Sequence, residues 1–106
     1  MNESLKPILA ELKQRLTELY GDRLSQLILF GSQARGDATE DSDVDVLVVL
    51  EGEFDHGKEL DRISYVTADM MMIFPKLISP VVVSKKNFEA RSQRLYQNAA
   101  REGVWV

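Results

Sequence analysis

Asp43 and Asp45 stand at the head of an apolar run, Val44 to Leu50. Side chains two apart on a strand point the same way, so these two carboxylates share a face. At about 3.3 Å per residue they lie roughly 6–7 Å apart along the chain. Like charges that close repel unless a cation sits between them. An oxygen-only pair of this kind suits Mg²⁺ or Mn²⁺, which bind through one or two carboxylates plus substrate phosphates. A second group of residues, Gly31-Ser32, closes the preceding apolar run, Leu24 to Phe30. Glycine there lets backbone approach a ligand, and Ser32 has the chemistry to cap a short helix beginning at Gln33. Free N–H groups at such a helix start attract phosphate. The two groups together describe a site for a metal-bound nucleotide. Arg35, one turn beyond Ser32, reads equally as a contact to phosphate or to an acidic neighbour, and as an ordinary surface residue.

Rival motifs fail on particular residues. Asp41, Asp43 and Asp45 imitate the first three ligands of an EF-hand loop, which then wants Gly and Glu where this chain has Val46 and Gly52. A Walker A loop needs a Lys-Ser/Thr pair after its glycines, and none follows Gly36. The spacing of Gly31 and Gly36 does not fit a dinucleotide fingerprint. Arg35-Gly36-Asp37 spells an adhesion tripeptide without any sign of secretion. The bland alternative for the acid pair is a solvated strand entrance.

These residues need elements to hold them. Leu5, Ile8, Leu9, Leu12, Leu16, Leu19 and Tyr20 recur at helical spacing, predicting an amphipathic helix over Ser4 to Tyr20 with Ser4 as its cap and Gly21 as its stop. Leu24 to Phe30 and Val44 to Leu50 read as strands, the second apolar on both faces and so covered on both sides. A site shared by the end of one strand and the start of the next requires an antiparallel pair. Gly52 to Gly57 reads as a loop carrying the sole histidine, His56, whose simplest role is a solvated one. Lys58 to Phe74 is a second helix closed by Pro75. Met70, Met71 and Met72 cannot all face its core; one exposed Met is the simplest account, a partner surface the alternative. Leu77 to Ser84 is a third strand, with Pro80 placing it towards an edge and the crossover predicting parallel pairing with Val44 to Leu50. Short helices follow over Asn87 to Arg91 and Ser92 to Arg101. Val104-Trp105-Val106 could add a terminal strand, with Trp105 an anchor in the core or in an interface. The expected class is α/β (α+β), a mixed sheet of three to four strands flanked by helices.

Composition limits the function. A chain of 106 residues fits one domain, 1–106. Without Cys there is no disulfide, thiolate zinc site or cysteine nucleophile. No apolar run reaches the roughly 18 residues of a membrane span, and the N-terminus is unlike a signal peptide, so a cytoplasmic setting is expected. A net charge of −4 argues against bulk nucleic-acid binding, which draws on Lys and Arg. A polymerase or transfer-RNA enzyme is expected to need further domains.

Gly31-Ser32, ten intervening residues and Asp43-Val44-Asp45 resemble the signature of the DNA polymerase β-like nucleotidyltransferases. Ala34, Arg35, Gly36 and Ser42 around it resemble the minimal nucleotidyltransferase branch. The resemblance implies the nucleotidyltransferase fold, ATP as substrate, triphosphate held by Gly31, Ser32 and Arg35, and Mg²⁺ or Mn²⁺ held by Asp43 and Asp45 as the catalytic pair. It also implies a third carboxylate at the start of the next strand. The matching stretch, Lys76 to Val82, has no acid; Ser79 occupies roughly that place, and Asp69 upstream falls on a helix. Members of this branch commonly pair with helical HEPN-type proteins, often as antitoxins. Two readings follow: an enzyme transferring AMP to a hydroxyl of such a partner, or a non-catalytic antitoxin that neutralises it by contact. Small-molecule modification of the aminoglycoside type would call for another substrate-binding domain. The oligomeric state, homo- or hetero-, is left open.

Overall fold

Alternation along three apolar strands sorts their side chains onto two faces of one sheet, and each face is covered by different helices. The computed structural model describes residues 2–39 and 41–106. Strands β1 (Leu24–Phe30), β2 (Val44–Leu50), β3 (Ile78–Ser84) and β4 (Val104–Trp105) lie in the order β3-β2-β1-β4. β1 runs antiparallel to β2 and to β4, whereas β2 and β3 are parallel, joined by helix α3 (His56–Met71). The expected mixed sheet, its strand directions and the short terminal strand are all present. β3 is an edge strand, which accommodates Pro80, a residue with no N–H to donate.

Val44, Val46, Val48 and Leu50 of β2 meet Leu27, Leu29, Ile78 and Val82 beneath α1 (Lys6–Tyr20) and α3. Leu47 and Val49 face the other way, with Ile28 and Val83, against Phe88, Tyr96 and Ala99 of α4 (Lys85–Glu89) and α5 (Arg94–Glu102). β2 is therefore buried on both sides, which is why it reads as an unbroken apolar run. Gly103 lets the chain turn from α5 into β4. A Cβ there would lie 2.3 Å from the Ala99 carbonyl oxygen and 2.5 Å from Ile28 Cγ2.

The helix starts differ from the expected ones. Asn2, not Ser4, supplies the first cap: its side chain accepts from the Ser4 N–H, a 3₁₀ turn spans Glu3–Leu5, and α1 proper begins at Lys6. α3 begins at His56 rather than Lys58 because the Asp55 carboxylate accepts from the Lys58 N–H at 3.1 Å, and it ends at Met71 rather than Phe74. His56 is thus the first residue of a helix and not part of a loop. Ser84 caps α4 in the same manner, through the Asn87 N–H. Arg91, at φ 53, breaks α4 from α5, and its guanidinium lies over the Phe88 ring at 4.6 Å. Of the three consecutive methionines only Met70 is buried; Met71 and Met72 are both exposed. Trp105 is half-exposed, with its ring edge against Phe88 at 5.9 Å.

One buried polar contact joins the two long helices. The Tyr20 hydroxyl donates to Glu59 Oε1 at 3.0 Å, and Arg62 lies 3.6 Å from the same oxygen. Burial, helped by the bond to Glu59, pushes the Tyr20 phenol up to about 12 from its ordinary 10. An unfolded chain would release that proton first, so stability falls as pH rises through this interval. The native chain is expected to lose on the order of 2 kcal/mol between pH 10 and 12 from this group. Tyr20→Phe should remove that alkaline step while costing about 1–3 kcal/mol at neutral pH, since Glu59 loses its donor. Urea unfolding at the three pH values checks both; an unchanged alkaline slope in Tyr20→Phe would assign the loss elsewhere.

Candidate active site

The antiparallel register sets Phe30 opposite Asp45, and the parallel register sets Ser79 opposite Asp45 on its other side. Phe30, Asp45 and Ser79 therefore form one row across the sheet, on the face that carries α4 and α5. The next row, Ile28, Leu47 and Val81, is apolar. Asp43 precedes β2 by one residue and belongs to the same face; the Val44 N–H beside it donates to the Leu77 carbonyl at 2.8 Å, which pins the strand entrance to β3. The face changes from apolar to acidic within one strand step.

Gly31 follows directly on β1 and is shaped by two constraints. Its φ of 76 is a conformation that side chains strain to adopt, and a Cβ there would stand 2.7 Å from Asp45 Oδ2. The glycine backbone thus abuts the Asp45 carboxylate. Its carbonyl accepts from both the Ala34 and Arg35 N–H groups at 3.1 Å, which makes Gly31 the cap residue of the one-turn helix α2 (Ser32–Arg35). Ser32 is therefore the first helical residue and not the cap expected of it; no side-chain capping bond is made at α2. Gly36, at φ 83, ends the turn.

Gln33 is a residue that sequence pattern does not single out. It is 4% exposed, and its Nε2 donates to the Ser42 carbonyl at 3.2 Å. This bond ties α2 to the residue immediately before Asp43. Ser42 in turn uses its hydroxyl to accept from the Thr39 N–H at 2.9 Å, bracing the connection. A polar residue in a one-turn helix normally signals exposure, so only the tertiary partner reveals its use.

Electrostatics separate the members of the site. Burial raises the Asp45 carboxyl above its ordinary value, and the Asp43 charge raises it further, while Arg35 opposes both. Arg35 is exposed and pairs with Asp37 at 3.4 Å, within electrostatic reach of Asp45. Asp69 lies apart: it acts on Arg15 of α1, beyond the opposite face of the sheet. Among the described residues no group of three His, Cys, Asp or Glu side chains converges. Ser79 is the cross-strand neighbour of Asp45 on β3. A partly desolvated, mutually repelling acid pair fits a hard divalent cation, which would relieve both the burial cost and the repulsion. Asp43 and Asp45 line neither the hollow of about 610 Å³ nor that of about 470 Å³, the second of which is walled by Gln33 and Gly36; Asp43 is exposed and Asp45 partly buried.

This architecture is that of a nucleotidyltransferase. A crystal structure of a "putative nucleotidyltransferase" from Sulfolobus solfataricus has the same fold, with a TM-score of 0.66 at 19% identity over 93% of this chain and 76% of that one. Residues 9–106 match the nucleotidyltransferase domain, and the chain belongs to that family. Two relatives from Methanocaldococcus jannaschii each carry the name "putative protein adenylyltransferase". One is 32% identical over 97% of this chain and 96% of its own, the other 38% over 74% and 78%.

Two outcomes follow from the Gly31–Asp45 contact. In Gly31→Ala the backbone strain at φ 76, ψ −156 is expected to cost about 1–3 kcal/mol, while the Asp45 carboxylate, being a side-chain end, rotates away. The variant should melt lower yet fold, and should lose divalent-metal binding out of proportion to its stability; melting curves with and without Mn²⁺ measure both. For Asp45→Asn the sign is the reverse. A carboxyl raised in the folded state destabilises the fold above that raised value and not below the unfolded one. Ligand-free Asp45→Asn should therefore be more stable than the native chain at pH 7, with the advantage vanishing towards pH 3. An advantage independent of pH would sever it from the Asp45 charge.

Proposed function

We propose that this chain transfers AMP from ATP to a hydroxyl of a partner protein. The observation that carries this reading is the placement of Asp43 and Asp45 on one sheet face with the Gly31 backbone against Asp45, in a chain whose relatives are named protein adenylyltransferases. Asp43 and Asp45 would hold Mg²⁺ or Mn²⁺. The bound cation would supply charge neutralisation to the triphosphate and to the oxygens exchanging at phosphorus. Gly31, Ser32 and the first N–H groups of α2 orient the phosphates, and Arg35 adds a cation at the exposed edge. The acceptor oxygen attacks the α-phosphorus in line, the bond to pyrophosphate breaks, and AMP stays on the acceptor. Because Asp43 is exposed and Asp45 only partly buried, a macromolecular hydroxyl can reach the pair. The resemblance to the minimal branch names the kind of partner: a helical HEPN-type protein, with this chain as its antitoxin in the cytoplasm.

A second reading is favoured by Ser79. With no third carboxylate converging on the pair among the described residues, nucleotide binding can persist while transfer is slow, and the chain would then neutralise its partner by contact.

Both readings expect metal-dependent ATP binding that Asp43→Asn with Asp45→Asn reduces at least tenfold, roughly the loss of one charge-assisted contact; calorimetry with Mg·ATP tests this. Affinity should also rise with pH as Asp45 deprotonates. Label transfer from ATP to a helical protein encoded beside this chain separates the two readings. Robust transfer abolished by Asp45→Asn supports the enzyme. Transfer that appears only in Ser79→Asp supports the contact reading, and equal Mg·ATP affinity in the double variant would sink both.

A further inference from the structure

β2 and β3 are parallel, and their carboxyl ends lie at the opposite edge of the sheet from Asp43 and Asp45. From Asp45 to Leu50 the distance is about 16 Å at 3.3 Å per residue. In open α/β sheets the crevice beyond the carboxyl ends of parallel strands is where ligands most often bind. Here that crevice is a hollow of about 610 Å³, within the range of small-molecule sites. The loop after β2, the start of α3, the end of β3 and helices α4 and α5 all contribute to its wall.

Of the polar groups in its wall, the Ser84 hydroxyl is committed to the Asn87 N–H, whereas the side chains of Lys86, Asn87 and Tyr96 are uncommitted among the described residues. Lys86 forms no ion pair among the described residues, in contrast to its neighbour Lys85, which is 2.9 Å from Glu51. The Asn87 side chain makes no hydrogen bond there either. Tyr96 is 8% exposed, its ring edge set against Phe88, and its hydroxyl has no hydrogen-bond partner among the described residues. Every fully sealed side-chain N or O atom among those residues does have a partner, so the Tyr96 hydroxyl is not sealed off, and Tyr96 is one of the residues that line the hollow. An ammonium, a carboxamide and a phenol together suit an anionic oxygen group. The rings of Phe54 and His56, stacked at 6.4 Å and 27°, add a flat wall beside them. Glu53, the acidic residue of the lining, opposes a second negative charge.

We propose that this hollow is a second ligand site, separate from the acid pair, for a small aromatic anion bearing one carboxylate or phosphate-ester group. The anion lies towards Lys86, Asn87 and the Tyr96 hydroxyl, and the ring lies along Phe54 and His56. A triphosphate is disfavoured by Glu53, so this ligand is not the nucleotide of the acid pair.

The test uses the full ¹⁵N-labelled chain without divalent metal, titrated with benzoate, with phenyl phosphate and with neutral benzyl alcohol. Either anion should give saturable amide shifts at Gly52, Lys86 and Asn87, and the one that binds more tightly identifies the carboxylate or phosphate source. Benzyl alcohol should bind about tenfold more weakly, and Lys86→Ala, at an exposed position, should weaken the anions about tenfold, the worth of one charge-assisted bond. Tyr96→Phe keeps the ring and should weaken them about threefold. The proposal is overturned if no shift saturates, if the shifts gather at Gly31 to Asp45, or if Lys86→Ala binds as well as the native chain.

Discussion

The candidate site depends on one close approach, the Gly31 backbone against the Asp45 carboxylate. Any side chain at position 31 would both strain the backbone at φ 76 and place its Cβ 2.7 Å from Asp45 Oδ2. That contact is possible only because β1 and β2 are antiparallel, so the end of one strand abuts the start of the other. The sheet exists to keep those two ends together: β2 is buried on both faces and cannot slide without moving its apolar side chains to the wrong side. Apolar packing over the whole of β2 thus holds an acid pair at its head in a position that the pair itself disfavours. Burial and the neighbouring Asp43 both raise the Asp45 carboxyl, which is a cost the rest of the core offsets.

Gln33 solves the remaining positional problem. α2 is a single turn and could not fix its own orientation by helical hydrogen bonds alone. The hydrogen bond that the Gln33 side-chain amide donates to the Ser42 carbonyl spans the connection and sets α2 and Asp43 in one frame. The turn at Gly31-Ser32 and the two carboxylates are then positioned by the same short loop, whose two ends are anchored in neighbouring strands.

Strands, their directions and the acid pair were legible in the sequence because each has a local signal. Val44 to Leu50 is an uninterrupted apolar run, and Gly31-Ser32 and Asp43-Val44-Asp45 sit at strand ends that must meet. Capping was less legible, since Asn2, Ser4, Asp55 and Ser84 are all competent caps and neighbouring geometry selects among them. Ser32 illustrates this: Gly31 takes the cap position because it alone tolerates the conformation the turn requires. Gln33 and Glu59 were not legible at all. Their value lies in partners 9 and 39 residues away, and no periodicity marks a polar residue that is buried because of such a partner.

Ser79 bears on how a two-acid site can be arranged. It shares a row with Asp45 and Phe30, so a carboxylate at that position would add a third negative charge beside a pair that already repels. Arg35 acts on Asp45 as a counter-charge, and it is shared with Asp37. A serine there leaves the ligand-free domain less strained, since it adds no charge beside the pair. The serine at position 79 and the exposed Asp43 therefore express the same arrangement: the chain builds one side of the acid pair, through Gly31 and α2, and leaves Asp43 exposed.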